Sequence, residues 1–175
     1  LKAKVRGTPH NTGDGLKMAL EIGAAKHGLY DGCHATPMDL HMKNYGGLDL
    51  EPSERKNYRK ICYFLGIMIN ANGERFLDEG KNFRNYTYAQ YGKRVLDQPR
   101  HFAWQIFDSK VFDLLYEEYR FHDAHFIEAD TIEELIKKME GVDKTETKKT
   151  IEQYNNSVDL NTTFDPTILD GKSTQ

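Results

Sequence analysis

From Gly66 to Glu79, apolar residues alternate with others on either side of the pair Asn72-Gly73. A period of two marks strands buried on one face, and Asn-Gly supplies the positive φ angles of a tight turn, so the pattern predicts a β-hairpin. Just beyond it, Asp78, Glu79 and Arg84 arrive together with Asn82, Phe83, Asn85 and Tyr86. A rigid hairpin exit of that kind can hold a guanidinium over a ligand that carries carboxylates. Upstream, the spacing of Leu16, Met18, Ala19, Leu20, Ile22 and Ala24 predicts a helix from Asp14 to Lys26, opened by Asp14 and closed by Gly28. Between Leu29 and Glu51 no period is sustained, so this stretch reads as irregular or short-stranded. Arg55 to Phe64 fits a short strand or a short helix equally well.

Downstream, Tyr88 to Leu96 has helical composition. Pro99 stops it before His101 to Asp108, which reads as a strand, and Ser109 to Tyr119 is expected to be helical. A Thr-x-x-Glu box at Thr131 and Glu134 opens a helix running to about Glu140, and Gly141 ends it. Thr145 to Ser157 repeats the helical pattern with Ile151 and Tyr154 turned inward. Asn161 to Gln175 lacks periodicity and is expected to be an extended return strand or a disordered tail. The pattern as a whole predicts an α+β unit with a small sheet or hairpin and packed helices.

Composition narrows the function classes. At 175 residues, with 38% hydrophobic and 29% charged, the chain suits one domain with attached flanks. A formal charge of -3 gives no general attraction to phosphate polymers or anionic lipid, which argues against nucleic-acid and membrane-surface partners. No apolar run approaches a membrane span, and no secretory signal pattern opens the chain. Cys33 and Cys62 are too few for a disulfide scaffold, so reduced, buried thiols in a cytoplasmic protein are expected. Ten tyrosines and nine phenylalanines suit a lid that is apolar in body and presents hydroxyls at a mouth.

The tract Gly73 to Glu79 carries the pattern Gly-x-Arg-Phe-x-Asp-Glu. It resembles the substrate-capping domain of the FAD-dependent fumarate reductase and succinate dehydrogenase flavoproteins. The tract Asn82 to Ala89, the opening Arg6 to Gly15 and the ending Phe164 to Lys172 look most like the tricarballylate dehydrogenase branch. The resemblance implies that residues 31–160 form a capping domain and that 1–30 and 161–175 are flanks belonging to a FAD-binding domain. The family's Gly-x-Gly-x-x-Gly loop has no counterpart here, so FAD would be held mainly by residues outside this chain. An opening without methionine and a polar ending are what an internal piece of a longer enzyme is expected to show, and such a piece alone should be inactive.

Site residues follow from the same resemblance. Arg84 falls where the family keeps the arginine that exchanges a proton with the substrate, although a guanidinium with a pKa above about 12 releases protons reluctantly. Its plain alternative is an exposed arginine paired with Asp78 or Glu79. His34-Ala35-Thr36 resembles the family's His-Pro-Thr, in which the histidine binds a substrate carboxylate; the alternative is a loop histidine without a partner. Thr12, Gly13 and Asp14 match a Thr-Gly-Asp-Gly motif lying near the cofactor, while helix capping alone would also explain Asp14. Arg59, beside Tyr58, falls where fumarate reductases keep a substrate-touching Thr-Glu pair. An arginine there would suit a third carboxylate, or else belong to a solvated basic run from Arg55 to Lys60.

On a helix, positions 84, 88 and 91 share a face, so one tyrosine could lie beside the Arg84 guanidinium, and Tyr88 is the candidate to meet the substrate; packing in a core is the commoner fate of such tyrosines. His27, His41, Asp31 and Asp39 match no recognised zinc spacing, so no metal is expected. The resemblance thus implies a fragment of an FAD-dependent oxidoreductase acting on a small polycarboxylate, tricarballylate-like, with a separate electron acceptor. Fumarate, succinate or an enone such as a ketosteroid are alternative substrates, and a non-catalytic interaction module derived from a cap is the alternative outside enzymes.

Overall fold

The computed structural model describes Ala3, residues 5–8, 10–30, 32–42, Glu51, 58–158, Asp165 and Thr167. The expected return strand at 161–175, and most of the basic run from Arg55, lie outside the described residues. Among those described, six regular elements follow in order: α1 (Asp14–Glu21), β1 (Ile67–Asn70), α2 (Arg84–Leu96), β2 (Ala103–Ile106), α3 (Ile132–Lys138) and α4 (Lys144–Ser157). This is the α+β arrangement that the sequence pattern predicts.

The sheet is small and sits at the centre. β1 pairs with β2 antiparallel, with Ile67 opposite Ile106 and Asn70 opposite Ala103. Successive side chains of a strand point to opposite faces, and β1 is buried on both. Ile67 and Ile69 face α3 and α4 and join Ile136, Met139 and Ile151 in one core cluster. Met68 faces the other way and joins Ile61, Tyr63 and Tyr91, the last of these from α2. The sheet is therefore covered by helices on both sides, which explains why four residues in a row are apolar or hydrogen-bonded and none is charged.

The predicted hairpin is only partly formed. Gly73 adopts a left-handed φ of 84°, and Asn70 N–H donates to the Glu74 carbonyl at 2.9 Å, so the Asn72-Gly73 turn is present. Its return arm makes a single bridge, Ile69 with Arg75, and the full partner of β1 is β2. A Cβ on Gly73 would lie 2.5 Å from the backbone nitrogen of Thr147 in α4, so the turn is pressed against that helix. Thr150 Oγ1 donates to the Gly73 carbonyl at 2.6 Å, and Asp143 N–H donates to the Ala71 carbonyl at 2.9 Å. The turn thus spends the Ala71 and Gly73 carbonyls on α4 and the residue that caps it.

Helix ends follow local chemistry. Thr131 caps α3 by accepting from Glu134 N–H at 3.2 Å, as its box predicts. Asp143 caps α4 by accepting from Glu146 N–H at 2.9 Å. α1 ends at Glu21, short of the expected Lys26, because Gly23 takes a left-handed φ of 89° and closes the helix before Gly28 is reached. α2 starts at Arg84, ahead of the expected Tyr88. The helix expected over Ser109 to Tyr119 is instead two 3₁₀ segments, Ser109–Leu114 and Glu117–Tyr119. The chain is extended at Leu115 and Tyr116, where Tyr116 N–H leaves the helical ladder to donate to Cys62 Sγ at 3.4 Å. Tyr58 to Lys60, left open between strand and helix, are extended, with Arg59 bridging Met38, and Tyr63–Leu65 form a 3₁₀ turn.

Candidate functional site

The Gly-x-Arg-Phe-x-Asp-Glu tract does structural work before any chemistry. Glu79 is 3% exposed, and its carboxylate accepts from Met68 N–H at 2.6 Å on the edge of β1 facing away from β2. It also accepts from Arg75, whose guanidinium is equally enclosed and lies over the Tyr154 ring of α4 at 4.8 Å. A buried ion pair of this kind is retained only when its hydrogen bonds are complete, and breaking one partner costs about 3–5 kcal/mol. Asp78 Oδ1 accepts from Gly80 N–H at 3.0 Å, and the Asp78 carbonyl accepts from the Tyr91 hydroxyl. Sequence reasoning missed the Arg75–Glu79 pair, although their spacing of four and opposite charge were visible.

That arrangement decides the surroundings of Arg84. Glu79, one of its two proposed carboxylate partners, is taken by Arg75. Arg84 is the half-buried first residue of α2, and among the described residues its guanidinium forms no ion pair. It lies over the Tyr116 ring with its central carbon 5.8 Å from the centroid. The plain alternative, a surface arginine neutralised by Asp78 or Glu79, does not describe it.

The His34 loop reaches the same helix. Gly92, on α2, lets it approach: a Cβ there would lie 2.4 Å from the carbonyl carbon and oxygen of Ala35 and 2.6 Å from Thr36 N. One turn earlier, the Tyr88 ring packs on the His34 ring with centroids 5.2 Å apart. His34 is exposed, Thr36 half-buried and Ala35 buried. Arg84, Tyr88 and the His34-Ala35-Thr36 segment thus follow one another along α2. Gly92 was not recognised from the sequence, where a lone glycine inside a helical pattern reads only as a weak point.

Arg59 is held by a partner from outside this line. Its Nη2 donates to Glu118 Oε1 at 3.0 Å, and neighbouring Lys60 pairs with buried Asp39 at 3.4 Å while donating to the Glu118 carbonyl at 2.8 Å. Burial pushes the Lys60 pKa down, and Asp39 works against that shift. Thr12, Gly13 and Asp14 stand exposed at the start of α1, with Thr12 Oγ1 donating to Asp14 Oδ2 at 2.7 Å and Gly13 left-handed at 82°. Gly13, not Asp14, is the residue at the N-cap, and no side chain caps the helix. Cys62 is buried, with burial raising its pKa and the Arg84 charge acting against the rise. Cys33 is exposed, against the expectation of two buried thiols.

A cavity of about 700 Å³ runs along β2, lined in part by Met68, Trp104, Phe107, His125 and Leu135, and by none of the site residues expected from the sequence. Its lysine and arginine side chains are committed to internal oxygens: Lys60 as above, Arg100 to the Gly141 carbonyl at 3.2 Å, and Lys138 to the Glu128 carbonyl at 2.5 Å. Arg84, by contrast, forms no ion pair among the described residues. Among the described residues no group of three or more His, Cys, Asp or Glu side chains could hold a metal; His41 stacks on His125 at 3.9 Å, and Asp31 lies outside the described residues. Among the same residues no helix is long and apolar enough to cross a membrane.

Fold and site define an α+β unit in which α2 carries a guanidinium without an ion pair among the described residues, together with Tyr88 and a docked histidine loop. Over 154 residues the chain is 30% identical to the probable fumarate reductase Ifc3 of Shewanella frigidimarina, a match covering 84% of this chain and 22% of that protein. The chain therefore spans about a fifth of the length of this relative. No protein family's model matches the chain, and no solved structure does.

Proposed function

We propose that this chain is the substrate-covering part of a flavin-dependent oxidoreductase acting on a small polycarboxylate. The observation that carries the reading is Arg84, a guanidinium without a carboxylate partner among the described residues, on the helix against which His34 and Thr36 are docked. Similarity to a probable fumarate reductase supports the reaction class. In this proposal residues 31–160 form the cover, 1–30 and 161–175 connect it to an FAD-binding domain, and the enzyme works in the cytoplasm with a separate electron acceptor.

The chain's own residues fit a contact with FAD at one place. Thr12-Gly13-Asp14 is exposed, and nothing lies within 4 Å of where a Gly13 Cβ would be, so backbone there is open to a ligand. When bound, FAD supplies hydride exchange at its N5. The cover supplies the rest: His34 and Thr36 hold one carboxylate, and an Nη–H of Arg84 donates its proton to the substrate carbon in the reducing direction. A guanidinium gives up a proton only in a site cleared of water, which is what closure of a cover provides. Tyr88 holds the His34 ring from below.

Substrate size turns on Arg59. Because Glu118 already occupies it, a third carboxylate would have to displace an internal partner. A dicarboxylate such as fumarate or succinate is therefore the simpler reading, and a tricarballylate-like acid is the second, resting on Arg59 changing partners. The parent protein should show a flavin absorbance spectrum that bleaches on addition of succinate or tricarballylate. Bleaching by an enone-bearing steroid and by neither acid would overturn the polycarboxylate reading.

A further inference from the structure

We infer that Tyr116 is the positioning residue for the Arg84 guanidinium, holding it by the ring face in place of a carboxylate. The inference rests on the proposed role of Arg84 and deepens it. Helix stability does not explain Arg84, because a cation in the first turn meets the positive end of the helix dipole. Nor does an internal ion pair: Glu79 is occupied by Arg75 and the Met68 N–H. What does meet the guanidinium is the Tyr116 ring, 5.8 Å from its central carbon, within the range over which a ring face attracts a cation.

Both members of this pair are fixed by two consecutive buried residues. Cys62 and Tyr63 are each 0% exposed. Cys62 Sγ accepts from Tyr116 N–H at 3.4 Å, and the Cys62 N–H donates to the Tyr119 hydroxyl at 2.8 Å, which in turn donates to Gln105 on β2 at 2.6 Å. Tyr63 reaches the other way: its hydroxyl lies 3.5 Å from the Arg84 carbonyl and 2.6 Å from Thr87 Oγ1. One rigid dipeptide thus sets the ring and the helix start that bears the cation. A ring face attracts a cation without neutralising it. A carboxylate in the same place would hold Arg84 as firmly but would compete with the ligand's own carboxylate.

The test uses the full-length, flavin-loaded parent and the dissociation constants of succinate and of tricarballylate, read from flavin absorbance. Tyr116→Phe keeps the ring and should bind within twofold of the unaltered enzyme. Tyr116→Leu should weaken binding of the acid that the enzyme uses about tenfold, and Tyr116→Met serves in the same way if the leucine variant does not fold. In an Arg84→Gln background the same Tyr116 substitution should add less than twofold, since the cation it positions is gone. An equal loss in both backgrounds, no loss in either, or a tenfold loss on Tyr116→Phe overturns the inference. Separately, Arg84→Gln alone leaving binding and turnover unchanged would sink the proposed role of Arg84 itself.

Discussion

Tyr91 shows how a single residue ties the site region to stability. It is 2% exposed, its hydroxyl donates to the Asp78 carbonyl, and its ring packs on Tyr63 at 4.9 Å. Burial, with the nearby Asp78 charge adding to it, raises its pKa from 10.0 to about 12. A raised folded-state pKa means that the neutral form is favoured by folding, so this stabilisation is complete below pH 10 and is lost as pH rises through about 12. Two pKa units correspond to no more than about 3 kcal/mol. Urea midpoints should therefore fall between these pH values, and Tyr91→Phe should remove part of that fall; an unchanged pH profile in the variant would contradict it. Arg75 and Glu79 belong to the same scale. Their charges sit in a non-helical stretch, where a sequence shows no reason to bury them. Only the approach of β1 and α4 from opposite sides makes them internal.

Elements were legible where their signals were local. The helix expected to run to about Glu140 and stop at Gly141 ends at Lys138, with Met139 already extended. The Thr131 cap and the inward Ile151 were both visible in a few consecutive residues, and each is realised in the fold. The Ser109 to Tyr119 helix was not, because Tyr116 N–H is claimed by Cys62, a residue far away in sequence. The hairpin was half legible for the same reason: its turn is local chemistry, but the partner of β1 lies beyond α2. Gly92 is the element-scale position on which the candidate site depends. In a helix Gly→Ala ordinarily gains up to about 1 kcal/mol. Here the new methyl would meet the Ala35 backbone at 2.4 Å, and backbone cannot step aside as a flexible side chain can. Gly92→Ala should thus destabilise the chain by about 1–3 kcal/mol in urea unfolding. It should also separate the His34 and Tyr88 rings, measurable as loss of their mutual ring-proton contacts. A stabilised variant with those contacts intact would show that the loop is not docked through Gly92.

For the whole molecule, the sheet between two helical layers fixes α2, and α2 in turn collects the functional candidates. Its N-terminus carries Arg84, its middle Tyr88 and its later turn the His34 loop. The flank is different in kind. α1 buries none of its residues, and Val5, Met18, Ile22 and Leu29 are largely exposed among the described residues. In the proposed enzyme these side chains would pack on the FAD-binding domain, which is also where Thr12 to Asp14 would meet the cofactor. Of the candidate site, what the sequence anticipated is that the loop bearing His34 and Thr36 lies against the helix that carries Arg84 and Tyr88. Arg59 was less legible, because its partner Glu118 arrives from a turn whose conformation only the tertiary fold sets. The most direct measurement is turnover of the flavin-loaded parent carrying Arg84→Lys, which keeps a positive charge but loses the planar fork. The account predicts that flavin stays bound while turnover of succinate, fumarate or tricarballylate falls by about a thousandfold or more, within the range attributed to a positioned proton donor. Turnover near that of the unaltered enzyme would contradict it.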